Sequence, residues 1–142
     1  MRVQDVLTHK GDLVVTIRPE ATCRDLLELL ARHNIGAVVV SVDGAAISGI
    51  ASERDVVRAL HERGADILDG PVSGIATALV ATCGPTDPLD ALRETMTSRR
   101  IRHIPVVSND RLVGIVSIGD VVKSTISQLE TERQQLIDYV QS

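Results

Sequence analysis

Aromatic residues are almost absent from this 142-residue chain: there is no Phe, no Trp, and Tyr139 stands alone. Proteins that hold single-stranded nucleic acid stack bases on aromatic side chains, so that class is disfavoured. A basic excess is missing too. Formal net charge is −4, with 8 basic and 11 acidic residues over 1–70 and 7 and 8 over 71–142, whereas duplex-binding surfaces carry a clear basic surplus. No nucleic-acid partner is expected. The longest apolar run, Ile35 to Val42, falls far short of the roughly 20 residues needed to cross a bilayer. No apolar signal stretch follows the opening Met-Arg, so the expectation is a cytoplasmic protein with no membrane partner. The only cysteines, Cys23 and Cys83, form neither a CxxC pair nor a disulfide framework. They read as small apolar packing residues in a reducing compartment. What remains, 44% apolar and 24% charged, is the balance of a folded globular chain. The length suits one compact domain or two small modules sharing a core.

The chain repeats itself. Residues 47–58, I-S-G-I-A-S-E-R-D-V-V-R, lie over 112–123, L-V-G-I-V-S-I-G-D-V-V-K, with six of twelve positions identical. Upstream the offset becomes 66 and pairs Thr16 with Thr82, Pro19 with Pro85, Leu26 with Leu92, Glu28 with Glu94 and Ile35 with Ile101. A one-residue difference in the intervening hairpin accounts for the change. The lead-ins agree as well, Val3-x-x-Val6-x-Thr8 with Val72-x-x-Ile75-x-Thr77.

Each copy predicts the order β-α-β-β-α. A first strand (Leu13–Ile17; Leu79–Thr82) is closed by Pro19 or Pro85, which cannot continue a ladder. A helix follows with apolar positions Leu26, Leu27, Leu29 and Leu30, or Leu89, Leu92 and Met96. A buried strand (Gly36–Val42; His103–Val107) leads through Asp43-Gly44 or Asn109-Asp110 to a strand ending at Ile50-Ala51 or Ile115-Val116. A second helix then begins at Ser52 or Ser117. The expected fold class is therefore α/β, with repeat one over 1–63, a linker over 64–71 punctuated by Gly64, Gly70 and Pro71, and repeat two over 72–124. The last helix runs on over 125–142 to about Val140, its stripe Val122, Ile126, Leu129, Leu136 and Val140 broken only by Arg133. Such a stripe needs covering, by the chain's own first segment or by a partner helix across a dimer, and the dimer is the favoured reading.

A tandem module carrying G-h-x-S-x-x-D at each strand–helix junction resembles the cystathionine-β-synthase (CBS) domain family. The residues that carry the resemblance are Gly49-Ile50-Ala51-Ser52-Glu53-Arg54-Asp55, Gly114-Ile115-Val116-Ser117-Ile118-Gly119-Asp120 and the second-strand run Ile101-Arg102-His103-Ile104-Pro105-Val106. It covers roughly Val3 to Lys123 and implies a stand-alone CBS pair. The resemblance further implies a sensor of adenine nucleotides (AMP, ADP or ATP, in some members NAD(H) or S-adenosylmethionine), a disc-shaped homodimer, and two clefts between the copies, one per repeat.

The residues give that implication a chemistry. A strand turning straight into a helix offers backbone N–H groups to a phosphate, and Ser52 and Ser117 add hydroxyls. Asp55 and Asp120 lie one turn further on, where a carboxylate repels phosphate but can accept both hydrogen bonds of a ribose diol. The adenine slots fall to Ile35-Gly36-Ala37-Val38 in copy one and Arg102-His103-Ile104-Pro105 in copy two, with Thr16 and Thr82 resembling the family's hydroxyl contacts. Arg54 is a candidate phosphate clamp; copy two has Gly119 at that position but Arg99, Arg100 and Arg102 upstream in the same repeat. The two sites are therefore not expected to be equivalent. S-x-x-D before an apolar helix is equally a capping box, and the arginine cluster is equally a solvated helix end.

Catalytic and metal readings find no support. His9, His33, His61 and His103 show no paired ligand spacing. No G-x-G-x-x-G or P-loop occurs, and neither serine sits in a nucleophile elbow. The expectation is a non-enzymatic regulatory module that binds an adenine nucleotide between its repeats and passes occupancy to a regulated protein. The rival is a ligand-free module for dimerisation or protein docking.

Overall fold

The computed structural model describes residues 1–11, 14–78 and 81–142. It has an α/β architecture built twice, closed by a long C-terminal helix. Repeat one comprises β1 (Thr16–Ile17), α1′s successor α2 (Cys23–His33), β2 (Ala37–Val40), β3 (Gly49–Ser52) and α3 (Glu53–Arg63); α1 itself (Val3–Lys10) precedes them. Two 3₁₀ turns, Ala65–Asp69 and Val72–Gly74, lead to repeat two, which comprises α4 (Leu89–Arg99), β4 (His103–Ser108), β5 (Arg111–Ser117) and α5 (Ile118–Gln141).

The β1–β2 pair is parallel, Thr16 opposite Val39, and β2–β3 is antiparallel, Val39 opposite Ile50. In repeat two, β4 and β5 pair antiparallel with Pro105 opposite Ile115. The first strand of repeat one is shorter than the sequence predicts. Leu13, Leu79 and Val80 lie outside the described residues, Val14 and Val15 are irregular, and among the described residues of repeat two Cys83 forms a parallel bridge to Val106. Cys83 N donates to Pro105 O (3.0 Å) and Val107 N to Cys83 O (2.8 Å), so β4 is still flanked on both edges. The hairpins differ as the change of offset requires. Asn109 and Asp110 both take left-handed backbone (φ 53° and 62°), a two-residue turn of the twist that hairpins favour. The repeat-one connection is a wider loop over 41–48, held by Asp43 Oδ1, which accepts from Ala45 N (2.9 Å) and Ala46 N (2.8 Å).

Helix boundaries follow from caps. Thr22, Ser52 and Ser117 each accept from the amide three residues on, and Asp25, Asp55 and Asp120 reach back to the cap amide. Asn34 ends α2 and Arg100 ends α4, both left-handed.

The lead-ins are exchanged. Val3 and Val6 of α1 are buried in the core of repeat two with Leu92, Met96, Ile104 and Val116. Val72 is buried in the core of repeat one with Cys23, Leu26, Val38 and Val56. This exchange explains the glycine of each junction motif. A methyl on Gly49 would meet the Thr77 carbonyl oxygen at 2.7 Å, and one on Gly114 would meet Leu7 Cδ2 at 2.6 Å. Ile50 and Thr77 also exchange backbone hydrogen bonds (3.0 and 2.9 Å), which ties the second lead-in to β3.

Past the repeats, α5 projects its apolar stripe into solvent. Val122, Ile126, Leu129, Leu136 and Val140 are all exposed, so the chain's own first segment does not cover them.

Candidate functional site

The junction of β3 and α3 is held by three neutral donors from two residues. Asp55 Oδ2 accepts from Ser52 N and Ser52 Oγ, both at 2.9 Å, and Oδ1 accepts from Thr77 Oγ1 at 2.9 Å. Asp55 is 7% exposed. Among the described residues no ion pair reaches it, and with three acceptances made, one of its roughly four lone-pair directions is left. The amides of α3 are mostly used: Glu53 N donates to Gly36 O (3.0 Å) and Asp55 N to Ser52 Oγ (3.2 Å). The helix end therefore offers a phosphate less than the bare strand–helix turn suggested, and an anion here must depend on side chains.

Those side chains are present. A cavity of about 300 Å³, at the small end of ligand pockets, lies between the repeats. Repeat one supplies Gly36, Ile50, Ser52, Glu53, Arg54, Asp55 and Arg58; the second lead-in adds Thr77, Ala78 and Ala81; the turn into β4 supplies Arg100, Ile101, Arg102 and His103. The arginines of repeat two thus face the carboxylate of repeat one. The sequence placed the clefts between the copies but grouped Arg102 with its own repeat; here it lines the same cavity as Asp55.

The β5–α5 junction has the same capping box but a different third partner. Asp120 Oδ2 accepts from Ser117 N (2.8 Å) and from Lys10 Nζ (2.8 Å), and the same ammonium donates to Ile115 O (2.9 Å). Burial by itself would raise the Asp120 carboxyl. The Lys10 hydrogen bond, the Ser117 N–H and the ammonium charge outweigh that and hold it below the ordinary carboxylate range. His103 is pushed down, first by desolvation and then by the Lys10 charge, so it is neutral at pH 7. Desolvation, with help from Asp87, pushes the Cys83 thiol up to about 12, which leaves it a packing residue.

Six sequence-predicted site residues therefore line one cavity: Gly36, Ser52, Arg54, Asp55, Arg102 and His103. Ser117, Gly119 and Asp120 gather at the other junction. Ala37, Ile104 and Pro105 are buried within β2 and β4, Ile35 packs against the core of repeat one, Thr16 pairs in β1, and Thr82 is exposed. Sequence reasoning missed Arg58 and Thr77 as members of this cavity and named Arg100 only within the arginine cluster of repeat two. Arg58 lies four residues after Arg54, which shares its helical face, and Thr77 was visible as the lead-in threonine. Among the described residues no group of three or more His, Cys, Asp or Glu could hold a metal ion. No helix among them is long and apolar enough to cross a membrane.

The duplicated module, with its lead-ins exchanged and a cleft between the repeats, is the arrangement of a CBS-domain pair. The CBS domain model matches residues 3–62 and 72–126, and the chain belongs to the CBS domain family. It is 43% identical to a CBS-domain containing protein from Agrobacterium tumefaciens of known structure, with a TM-score of 0.84 over 88% of this chain and 99% of that one. A mitochondrial CBS domain-containing protein of Arabidopsis thaliana is 34% identical over 98% of this chain and 71% of its own length. A CBS domain protein from Pyrobaculum aerophilum, solved in complex with AMP, is 32% identical, with a TM-score of 0.74 over 84% of this chain and 89% of that one.

Proposed function

We propose that this chain is a regulatory module that binds an adenine nucleotide (AMP, ADP, ATP or NAD) in the cleft at Asp55 and does no chemistry on it. The observation that carries the reading is the cavity in which a buried carboxylate with neutral partners is joined by arginines from both repeats. Asp55 takes the ribose diol, with Thr77 yielding its hydrogen bond; the apolar walls Ile50 and Ile101 flank the base; Arg54 and Arg102 take the phosphate. The AMP complex of the Pyrobaculum aerophilum relative supports the ligand class. Of the two junctions, that at Asp55 is the one proposed to bind, because a ligand at Asp120 has first to displace an ammonium. Residues 1–63 and 72–124 act as the two repeats, and 64–71 as the linker. The module works in the cytoplasm as a homodimer, and ligand drawing arginines of the two repeats together alters the geometry offered to a regulated protein. The energy so transmitted is bounded by the ligand's differential affinity for the two arrangements.

The first measurement is the ultraviolet spectrum of freshly purified protein, with mass spectrometry of whatever denaturation releases. With one Tyr and no Trp the chain barely absorbs, so a retained adenine dominates near 260 nm. Where none is retained, calorimetric titration with AMP, ADP, ATP and NAD is expected to give saturable binding, and silence with all four overturns the proposal. A second reading, a ligand-free docking or dimerisation module, is favoured by the exposed stripe on α5. It predicts a scattering curve that does not respond to nucleotide.

A further inference from the structure

Resting on the nucleotide reading above, we infer that this cleft selects a nucleoside di- or triphosphate over a monophosphate. Four guanidiniums, of Arg54, Arg58, Arg100 and Arg102, line the one cavity against two carboxylates, Glu53 and Asp55. The ion pairs among the described residues engage Lys10, Arg18, Arg24, Arg32 and Arg93 instead. The carboxylate of Asp55 is turned to Ser52 and Thr77 rather than to any of the four. The cleft therefore holds an excess of two positive charges with its guanidinium donors unspent on carboxylates.

The four are placed on opposite walls. Arg54 and Arg58 are one turn apart on α3, while Arg100 and Arg102 bracket the entry to β4. A guanidinium grips phosphate through two parallel N–H···O bonds. A terminal monophosphate presents about three free oxygens, too few for paired grips from both walls. A di- or triphosphate supplies separate oxygens and charge to each wall.

Arg100 gives an independent indication. It ends α4 with left-handed backbone (φ 54°), the position that Asn34 fills in repeat one (φ 51°). Asn adopts that conformation more readily than Arg does. Repeat two thus carries a disfavoured residue at the one helix end where its side chain reaches the cavity, the pattern of strain retained at a working site.

The test is calorimetric titration with AMP, ADP and ATP in magnesium-free buffer, on the unmodified protein, Arg100→Asn and Arg58→Gln, with inorganic tripolyphosphate as competitor. ATP and ADP are expected to bind at least about tenfold tighter than AMP, one charged contact's worth, and tripolyphosphate to displace ATP. Arg100→Asn is expected to melt at the same or a higher temperature while its ATP-over-AMP preference falls about tenfold; Arg58→Gln lowers that preference as well. Binding of AMP as tight as that of ATP, or an unchanged preference in both variants, overturns this inference and leaves the nucleotide reading standing. Silence with every adenine nucleotide overturns both.

Discussion

The two strand–helix junctions carry the same seven-residue pattern, and the chain completes them differently. At Asp55 the outer partner is the Thr77 hydroxyl, with the Thr77 amide on Ile50 O. At Asp120 a single ammonium, Lys10 Nζ, takes both duties, binding the carboxylate and Ile115 O. A hydroxyl can turn aside for a ribose at little cost, whereas removing an ammonium strips a charge of its counter-ion. Duplication has thus kept the cap and changed its outer partner, a hydroxyl at one junction and an ammonium at the other.

Overpacking breaks that comparison most severely. Gly49→Ala forces a methyl against the Thr77 backbone, which cannot swing away, whereas Gly114→Ala meets the mobile end of Leu7. Denaturant unfolding is expected to show a loss near 3 kcal/mol for the first and nearer 1 for the second, the span that overpacked sites cover. Equal losses would mean that the lead-ins dock with equal rigidity.

The next largest effect separates cap from ligand. Asp55→Glu and Asp120→Glu both preserve a capping box and move the carboxylate by one methylene. Both variants are expected to fold, with adenine-nucleotide affinity falling by about 1–3 kcal/mol for Asp55→Glu and unaltered for Asp120→Glu. Titration calorimetry decides it, and equal losses would restore two working sites.

The smallest effect is electrostatic. The side chains of Lys10 and Asp120 are 36% and 20% exposed, so their pair is screened and contributes about 0.5–1 kcal/mol. Asp120 titrates below its unfolded value, so its contribution is complete above roughly pH 4 and disappears as pH falls through the folded pKa. The stability gap between the native chain and Lys10→Met is therefore expected to close on acidification, and urea unfolding at neutral pH and near pH 3 measures it. A gap that persists in acid assigns Lys10 a packing role instead.

Much of this molecule is legible in its sequence because local rules repeat. Ser52 and Ser117 announce their helices through S-x-x-D, Pro19 and Pro85 stop the first strands, and Leu26 and Leu92 mark the buried helix faces. Of the site, Gly36, Ser52, Arg54, Asp55, Arg102 and His103 were readable because they lie in or beside the duplicated motif. Thr77 and Arg58 were not, and Arg100 only as one of an arginine cluster, since nothing local says which residues distant in sequence will meet them. The first strand of repeat one was over-read at Val14 and Val15 for a related reason. Backbone pairing, not β-propensity, decides a strand's length, and among the described residues Thr16 and Ile17 alone pair with β2 from this strand.

By itself, then, the sequence determined the duplicated α/β module, its caps, its turns and its poverty of aromatic residues, all of which depend on residues within a few positions of one another. Only the tertiary structure decided that Val3 and Val72 would cross to the opposite cores, that Arg100 and Arg102 would face Asp55, and that Lys10 would reach Asp120. Those outcomes come from burying two similar apolar faces at once. That global condition places side chains up to 110 positions apart in direct contact, and no local pattern encodes it.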